Sequence, residues 1–222
     1  ATRVNSAGLI ETVGENVPRL DYSDGGCPVL LTEPQSTNEL LWSEDYTQGY
    51  WTKGDVVPTS GNLAPDGTTN GSRLTEQATT AEHRILNGAS ISVSVSDKVT
   101  MSAYIKKGER NWVRLRNNAS SSLGWFDLEN GVVGTTAGLD SYEIKELNNG
   151  WYRCSISFTS SVTIERIVIN LSEDGSTVSY LGDVSKGLYV FGAMVEKLPY
   201  ATSYTKTEGS AVTRVGDVVT NA

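Results

Sequence analysis

Six side chains offer binding chemistry in a consistent pattern: Tyr104, Trp112, Arg114, Arg116, Trp125 and Asp127. Each stands opposite an apolar alternation. Val99, Met101, Ala103 and Ile105 alternate with Thr100, Ser102, Tyr104 and Lys106, so a strand here turns Tyr104 and Lys106 away from the core. In the same way Val113 and Leu115 set Trp112, Arg114 and Arg116 outward, and Phe126 and Leu128 set Trp125 and Asp127 outward. The run Ile167, Ile169, Leu171 leaves Arg166, Val168 and Asn170 on its other face. Aromatic rings gathered on an outer face mark a surface that binds something. The C–H face of a sugar ring stacks on Trp or Tyr, while its hydroxyl, carboxylate or sulfate groups meet Arg and Asp. The outward set therefore predicts a saccharide surface, with Tyr104, Trp112 and Trp125 stacking and Arg114, Arg116 and Asp127 orienting. The local excess of Arg and Lys in an acidic chain points to an anionic glycan. The alternative is that the aromatics lie under the N-terminal arm or a loop and form a second small core.

Other chemistries find little support. There is 1 His, His83, so a His-rich zinc site is excluded and a Ser-His-Asp triad would have to use that residue. His83 in Glu82-His83-Arg84 reads as a surface or hydrogen-bonded side chain. No Gly-x-Ser-x-Gly elbow and no phosphate-binding Gly-rich loop occurs. With 26 Asp and Glu, a carboxylate pair at glycosidase spacing is certain somewhere and carries no information. The lyase pattern of Gln, His and Tyr on adjacent strands is missing, and the expectation is a protein without catalysis and without a required cofactor. A structural calcium ion is compatible with loops of this kind, but no Asp-x-Asp run marks its ligands.

These side chains need strands to position them, and the chain supplies strands with turns. Ile91, Val93 and Val95 open the best alternating run, and Lys107-Gly108-Glu109-Arg110 reads as a hairpin loop leading to the strand from Trp112 to Arg116. On that reading the first three outward segments pair, and all six side chains share one sheet face. Glu129-Asn130-Gly131 is a second hairpin signal, and Asn148-Asn149-Gly150 precedes a strand from Trp151 to Phe158. Ile164 to Leu171 and Gly187 to Val195 complete the set. Thr75 to Asn87 is the only helix candidate, and Thr79-Thr80 makes it a poor one. Eight to ten short strands of this kind predict an all-β fold, an antiparallel β-sandwich of jelly-roll type. Residues 1–38, broken by Pro18, Pro28 and Pro34, read as an extended arm packed on a sandwich of residues 39–199, with residues 200–222 as a C-terminal arm. Thr2-Arg3-Val4 near one end is echoed by Thr213-Arg214-Val215 near the other, as in a modular array.

Composition bounds the rest. Hydrophobic residues at 38% and charged residues at 20% fit neither a membrane protein nor a disordered chain, and no apolar run approaches a membrane span. A net charge of -8 argues against nonspecific nucleic-acid binding and fits an extracellular or virion surface. The absence of an initial Met suggests a piece of a longer polypeptide. Cys27 and Cys154 form no metal motif. Alternation puts Cys154 on the apolar face with Ile156 and Phe158, which favours a buried free thiol over a disulfide.

Several segments also resemble a known family. Ala1-Thr2-Arg3-Val4-Asn5, Gly8-Leu9-Ile10-Glu11, Pro18-Arg19-Leu20-Asp21-Tyr22 and Leu30-Leu31-Thr32-Glu33-Pro34-Gln35 are similar to the opening of phage head-spike or fibre-type domains. Ser43-Glu44-Asp45-Tyr46, Ala64-Pro65-Asp66-Gly67-Thr68, Gly150-Trp151-Tyr152-Arg153, Gly187 to Ala193 and Ala201-Thr202-Ser203-Tyr204 continue the resemblance in order. The middle portion is also similar to jelly-roll carbohydrate-binding modules of secreted glucan- and xylan-degrading enzymes. The resemblance implies a jelly roll with a saccharide-binding or adhesive role, attached to a fibre or a secreted enzyme. Its partners would be a polysaccharide or cell-surface glycan, and neighbouring modules or a homotrimer in a virion. It supplies no ligand residues, and Cys27 departs from it.

Overall fold

The computed structural model describes residues 1–14, 16–119 and 121–218 of the chain. The strands of its two large sheets are, in chain order, β1 (Trp51–Gly54), β2 (Val56–Asn62), β3 (Gly71–Glu76), β4 (Arg84–Asn87), β5 (Lys98–Lys107) and β6 (Trp112–Asn117). There follow β7 (Leu123–Asp127), β8 (Val132–Ala137), β9 (Ser141–Glu146), β10 (Trp151–Thr159), β11 (Ile167–Ser172) and β12 (Gly187–Glu196). They form two six-stranded antiparallel sheets. The front sheet is ordered β8-β7-β6-β11-β4-β1 and the back sheet β9-β10-β5-β12-β3-β2. The chain passes repeatedly between the layers, as in a jelly-roll sandwich.

Alternation explains the packing. Met101 and Ile105 of β5, Val113 and Leu115 of β6, Phe126 of β7, Ile156 and Phe158 of β10 and Ile169 of β11 all face inward and form one buried cluster. Each such side chain contributes roughly 1.5–3 kcal/mol by leaving water. Cys154 lies in this core as a free thiol, and burial holds its pKa far above the ordinary thiol value. Cys27 is free and exposed. The Asn130-Gly131 hairpin forms as its sequence predicts, with Gly131 at φ 64° and its N–H donating to the Asp127 carbonyl at 2.9 Å.

One expectation needs correction. The residues Lys107 to Arg110 do not make a hairpin: β5 lies in the back sheet and β6 in the front. Arg110 turns inward and pairs with Glu76 of β3, Nε to Oε1 at 2.6 Å and Nη2 to Oε2 at 2.9 Å, and both residues are buried. Gly108 lies against the Gly187 carbonyl, where a Cβ would come within 2.4 Å of the oxygen. The loop is thereby drawn over the edge of the sandwich. The segment Thr75 to Asn87, a poor helix candidate by its sequence, is extended, as the all-β reading requires, and is made of the end of β3, the short strand Thr80–Glu82 and β4. Of the two readings of His83 the hydrogen-bonded one holds: it is fully buried, with Nδ1 2.8 Å from the Asp55 carbonyl and Nε2 3.2 Å from the Tyr180 carbonyl.

A second apolar cluster lies on the outer side of the back sheet. Tyr104 of β5, Trp151 of β10 and Phe191 and Met194 of β12 meet Ile10 of the N-terminal segment and Tyr204 of the C-terminal one. The two terminal segments also pair with each other, Ser36–Asn38 with Val212–Arg214. Arg19, almost fully buried, donates to Glu33 at 2.9 Å, to Ser203 Oγ at 2.7 Å and to Asp217. Arg214 adds contacts to Glu33 at 3.3 Å and to the Pro34 carbonyl at 2.7 Å. Two guanidiniums and two carboxylates thus tie the termini together.

Two predictions follow from this packing. Between Ser102 and Tyr104 the β5–β12 register shifts, and Gly192 stands nearby at φ +59°, where a Cβ would lie 2.9 Å from Tyr104 Cδ2. Gly192→Ala should lower stability by about 2 kcal/mol in urea unfolding, from left-handed strain plus overpacking. For Asp217, burial raises the carboxyl pKa, but the hydrogen bonds from Arg19 and the Glu33 N–H and the charges of Arg19 and Arg214 together outweigh it and hold the pKa below the ordinary value. A depressed folded pKa stabilises above the unfolded pKa and is lost as pH falls through the folded one. Pepsin cleavage within residues 1–38 should therefore rise steeply from about pH 4 toward pH 2, and in Asp217→Asn the protection should already be reduced at pH 5.

Candidate functional site

The outer face of the front sheet is built by register. Arg114 of β6 lies opposite Trp125 of β7 on one side and Asn170 of β11 on the other, and Arg84 of β4 lies opposite Asn170. One row across the sheet thus reads Trp125, Arg114, Asn170, Arg84, with directly opposed side chains roughly 5 Å apart at Cβ. Arg116 stands two residues along β6 from Arg114 and so shares its face. Glu82 enters from the short strand Thr80–Glu82, which pairs with Ser179–Leu181 beside the sheet.

Glu82 is the hub. Its Oε2 lies 2.9 Å from Arg84 Nη1 and 3.4 Å from Arg116 Nη2, and its Oε1 lies 3.8 Å from Arg114 Nη2. Asn170 Oδ1 accepts from Arg114 Nη2 at 3.1 Å and Arg116 Nε at 3.3 Å, and its amide donates to Glu82 at 3.4 Å. The Arg114 guanidinium covers the Trp125 ring at 5.2 Å. Three cations share one carboxylate, so the cluster is positive within an acidic molecule. The side chains of Arg114 and Arg116 are only 12% and 16% exposed, against 35% for Arg84, so the first two form the floor and Arg84 the rim. Burial, and then the nearby Arg116, pull the Arg114 pKa down to about 10. Burial also lowers Arg116, against the attraction of Glu82. Both remain charged at neutral pH, but their charged forms are under-compensated, and a ligand carboxylate or sulfate would supply the missing charge.

The six residues proposed from alternation are divided by the structure. Arg114 and Arg116 come together at the centre of this face. Tyr104 is on the back sheet, buried beneath the terminal segments, and is not a neighbour of the others; the crossover at Lys107 to Arg110 is the reason. Trp125 shares the row but is 5% exposed. Trp112 is half-buried between strand β8 and the loop at Gly175, with glycines at both contacts: a Cβ on Gly175 would lie 2.5 Å from its ring and one on Gly134 of β8 2.9 Å. Neither indole offers a free stacking face, because enclosing the ring under a loop removes more apolar area from water than leaving it as a platform. Asp127 is occupied with its own turn, accepting from the Glu129 N–H at 2.9 Å, the Asn130 N–H at 3.3 Å and Asn130 Nδ2 at 2.7 Å. It caps the hairpin.

Glu82 and Arg84 are the site residues that the alternation argument missed. They flank His83 at spacing two, the period of a strand, but lie in the stretch weighed as a helix. Asn170 was on the outward side of its strand without an aromatic or charge to single it out. No group of three or more His, Cys, Asp and Glu side chains suited to a metal occurs among the described residues.

Asp127→Ala should destabilise the protein by about 1 kcal/mol through loss of the turn's hydrogen bonds, seen as a lower melting temperature. Glu82→Gln should destabilise it as well, and added sulfate should restore the melting temperature of Glu82→Gln more than that of the parent.

No protein-family model matches the chain, and no curated protein matches it. Among solved structures it is similar to the CBM22-1–GH10 modules of the Clostridium thermocellum N-terminal endo-1,4-β-D-xylanase 10B, complexed with xylohexaose. The match has 11% identity and a TM-score of 0.45, and covers 78% of this chain and 30% of that chain. So loose a superposition carries no argument, and the sandwich assignment stands on the strand pairing itself.

Proposed function

We propose that the chain is a non-catalytic carbohydrate-binding module that takes an anionic polysaccharide on the front sheet. The observation that supports this most is the cluster of Arg84, Arg114 and Arg116 around the single carboxylate of Glu82. Repeating carboxylates or sulfates along a glycan would complete the charge balance, and Asn170 and Glu82 would receive or donate to its hydroxyls. A lone carboxylate among three guanidiniums is poorly suited to glycoside cleavage, which calls for two carboxylates in separate roles. The reading requires no cofactor. An acidic surface and the segmental resemblance to fibre-type domains favour an extracellular or virion-surface location. Affinity electrophoresis separates the alternatives. Alginate or polygalacturonate should retard the protein while neutral xylan does not. Arg114→Ala and Arg84→Ala should each weaken retardation about tenfold, and the effect should fade as salt rises. Equal retardation by neutral and acidic gels, or no change in the variants, would remove the reading.

A second reading, a packing module of a fibre, is favoured by exposed apolar side chains on the terminal segments: Leu20 at 39%, Val29 at 56% and Leu30 at 51% on one small ribbon. Light scattering decides it, since a monomer at high concentration is incompatible with that role.

A further inference from the structure

The back sheet carries a cleft that the front-face reading does not use. It has a volume of about 180 Å³ and opens between the N-terminal segment, the outer face of β5, β9 and β10, and residues 201–204. Its floor holds two polar groups with unspent capacity. Tyr104 is 95% buried by its 5% exposure, its ring wedged against Phe191 and Tyr204, and among the described residues its hydroxyl has no hydrogen-bond partner. Arg153 stacks over that ring at 5.4 Å, donating through Nη2 to the Thr202 carbonyl at 2.6 Å and to Ser102 Oγ at 3.2 Å. Its Nε is buried without a partner, and no carboxylate is paired with it among the described residues. The Tyr104 hydroxyl reaches the cleft and can bond to what enters it, whereas the enclosed Arg153 Nε–H is an unspent donor that costs free energy.

We infer that this cleft is a second binding site, built for one neutral sugar ring. The remainder of the lining selects the class. The lining mixes charges of both signs, with Asp21, Glu33 and Glu143 beside Arg3, Lys145 and Arg153. With both signs present neither a free anion nor a free cation is favoured, whereas sugar hydroxyls can donate to the carboxylates and accept from Tyr104 and the cationic side chains. Val4, Ile10 and Leu147 supply apolar surface for the C–H face of the ring. The volume suits a single ring and not a bound chain, far below the pockets that enclose larger ligands. The cleft would hold a chain end or a side branch, while the front face would hold the charged backbone of a polymer; it does not depend on the front-face reading being right.

The test is titration of the whole chain with the methyl glycosides of glucose, galactose, mannose and xylose, followed by NMR of the backbone amides and the Arg153 Nε–H. At least one glycoside should shift the Arg153 Nε–H signal and amides of residues 201–204. Tyr104→Phe removes one oxygen and keeps the packed ring, so it should leave the melting temperature within a degree or two while weakening that binding roughly three- to tenfold. Raising NaCl from 50 to 500 mM should change the affinity less than twofold. Arg114→Ala should leave it unchanged. The inference is overturned if no glycoside perturbs these signals at 50 mM, if Tyr104→Phe binds as the parent does, or if affinity collapses with salt. A parent protein that binds a glycoside in the cleft but is not retarded by acidic polysaccharide would defeat the front-face reading alone.

Discussion

A sandwich needs one apolar face from each of its sheets, but the back sheet here is apolar on both. Inward it presents Met101, Ile105, Ile156 and Val190, and outward Tyr104, Trp151, Phe191 and Met194. The outward set cannot stay in water at tolerable cost. The terminal segments answer that demand, bringing Ile10 and Tyr204 onto the sheet, and the Arg19, Glu33, Arg214 and Asp217 network fastens them there. Much that lies outside the central core follows from this covering.

One consequence is an unequal pair of faces. The back face is roofed, and its access is narrowed to a cleft beside the N-terminal segment. The front sheet carries polar and charged groups on the rows around Arg114 and Asn170, and these are open to approach from solvent at Arg84 and Glu82. Molecule-wide acidity coexists with this positive cluster because net charge is a sum over the whole surface, while recognition depends on charges within a few ångströms of the ligand.

The sequence was a good guide wherever period-two alternation speaks. The inner faces of β5, β6, β7, β10 and β11 are those read from the pattern, and the Asn130-Gly131 turn forms where its chemistry places it. Among the site residues, Arg114 and Arg116 were legible as outward cations on one strand. Their partner Glu82 was not, because it comes from a separate short strand whose approach depends on the pairing of Thr80–Glu82 with Ser179–Leu181. Exposure was also illegible: alternation says that Trp112 and Trp125 leave the central core, but not that β8 at Gly134 and the loop at Gly175 close on the Trp112 ring.

What the residues determine locally is which side chains share a face of a strand, since successive Cβ atoms point to opposite sides whatever the strand pairs with. Which sheet a strand joins is a different matter. The four residues Lys107 to Arg110 fit a hairpin as readily as a crossover, and both satisfy the local pattern. The ion pair of Arg110 with Glu76, far apart in sequence, and the close approach of Gly108 to Gly187 exist only in the folded chain. They carry the loop to the other layer, place Tyr104 on one face of the molecule and Arg114 on the opposite one, and so separate two surfaces that the sequence had joined.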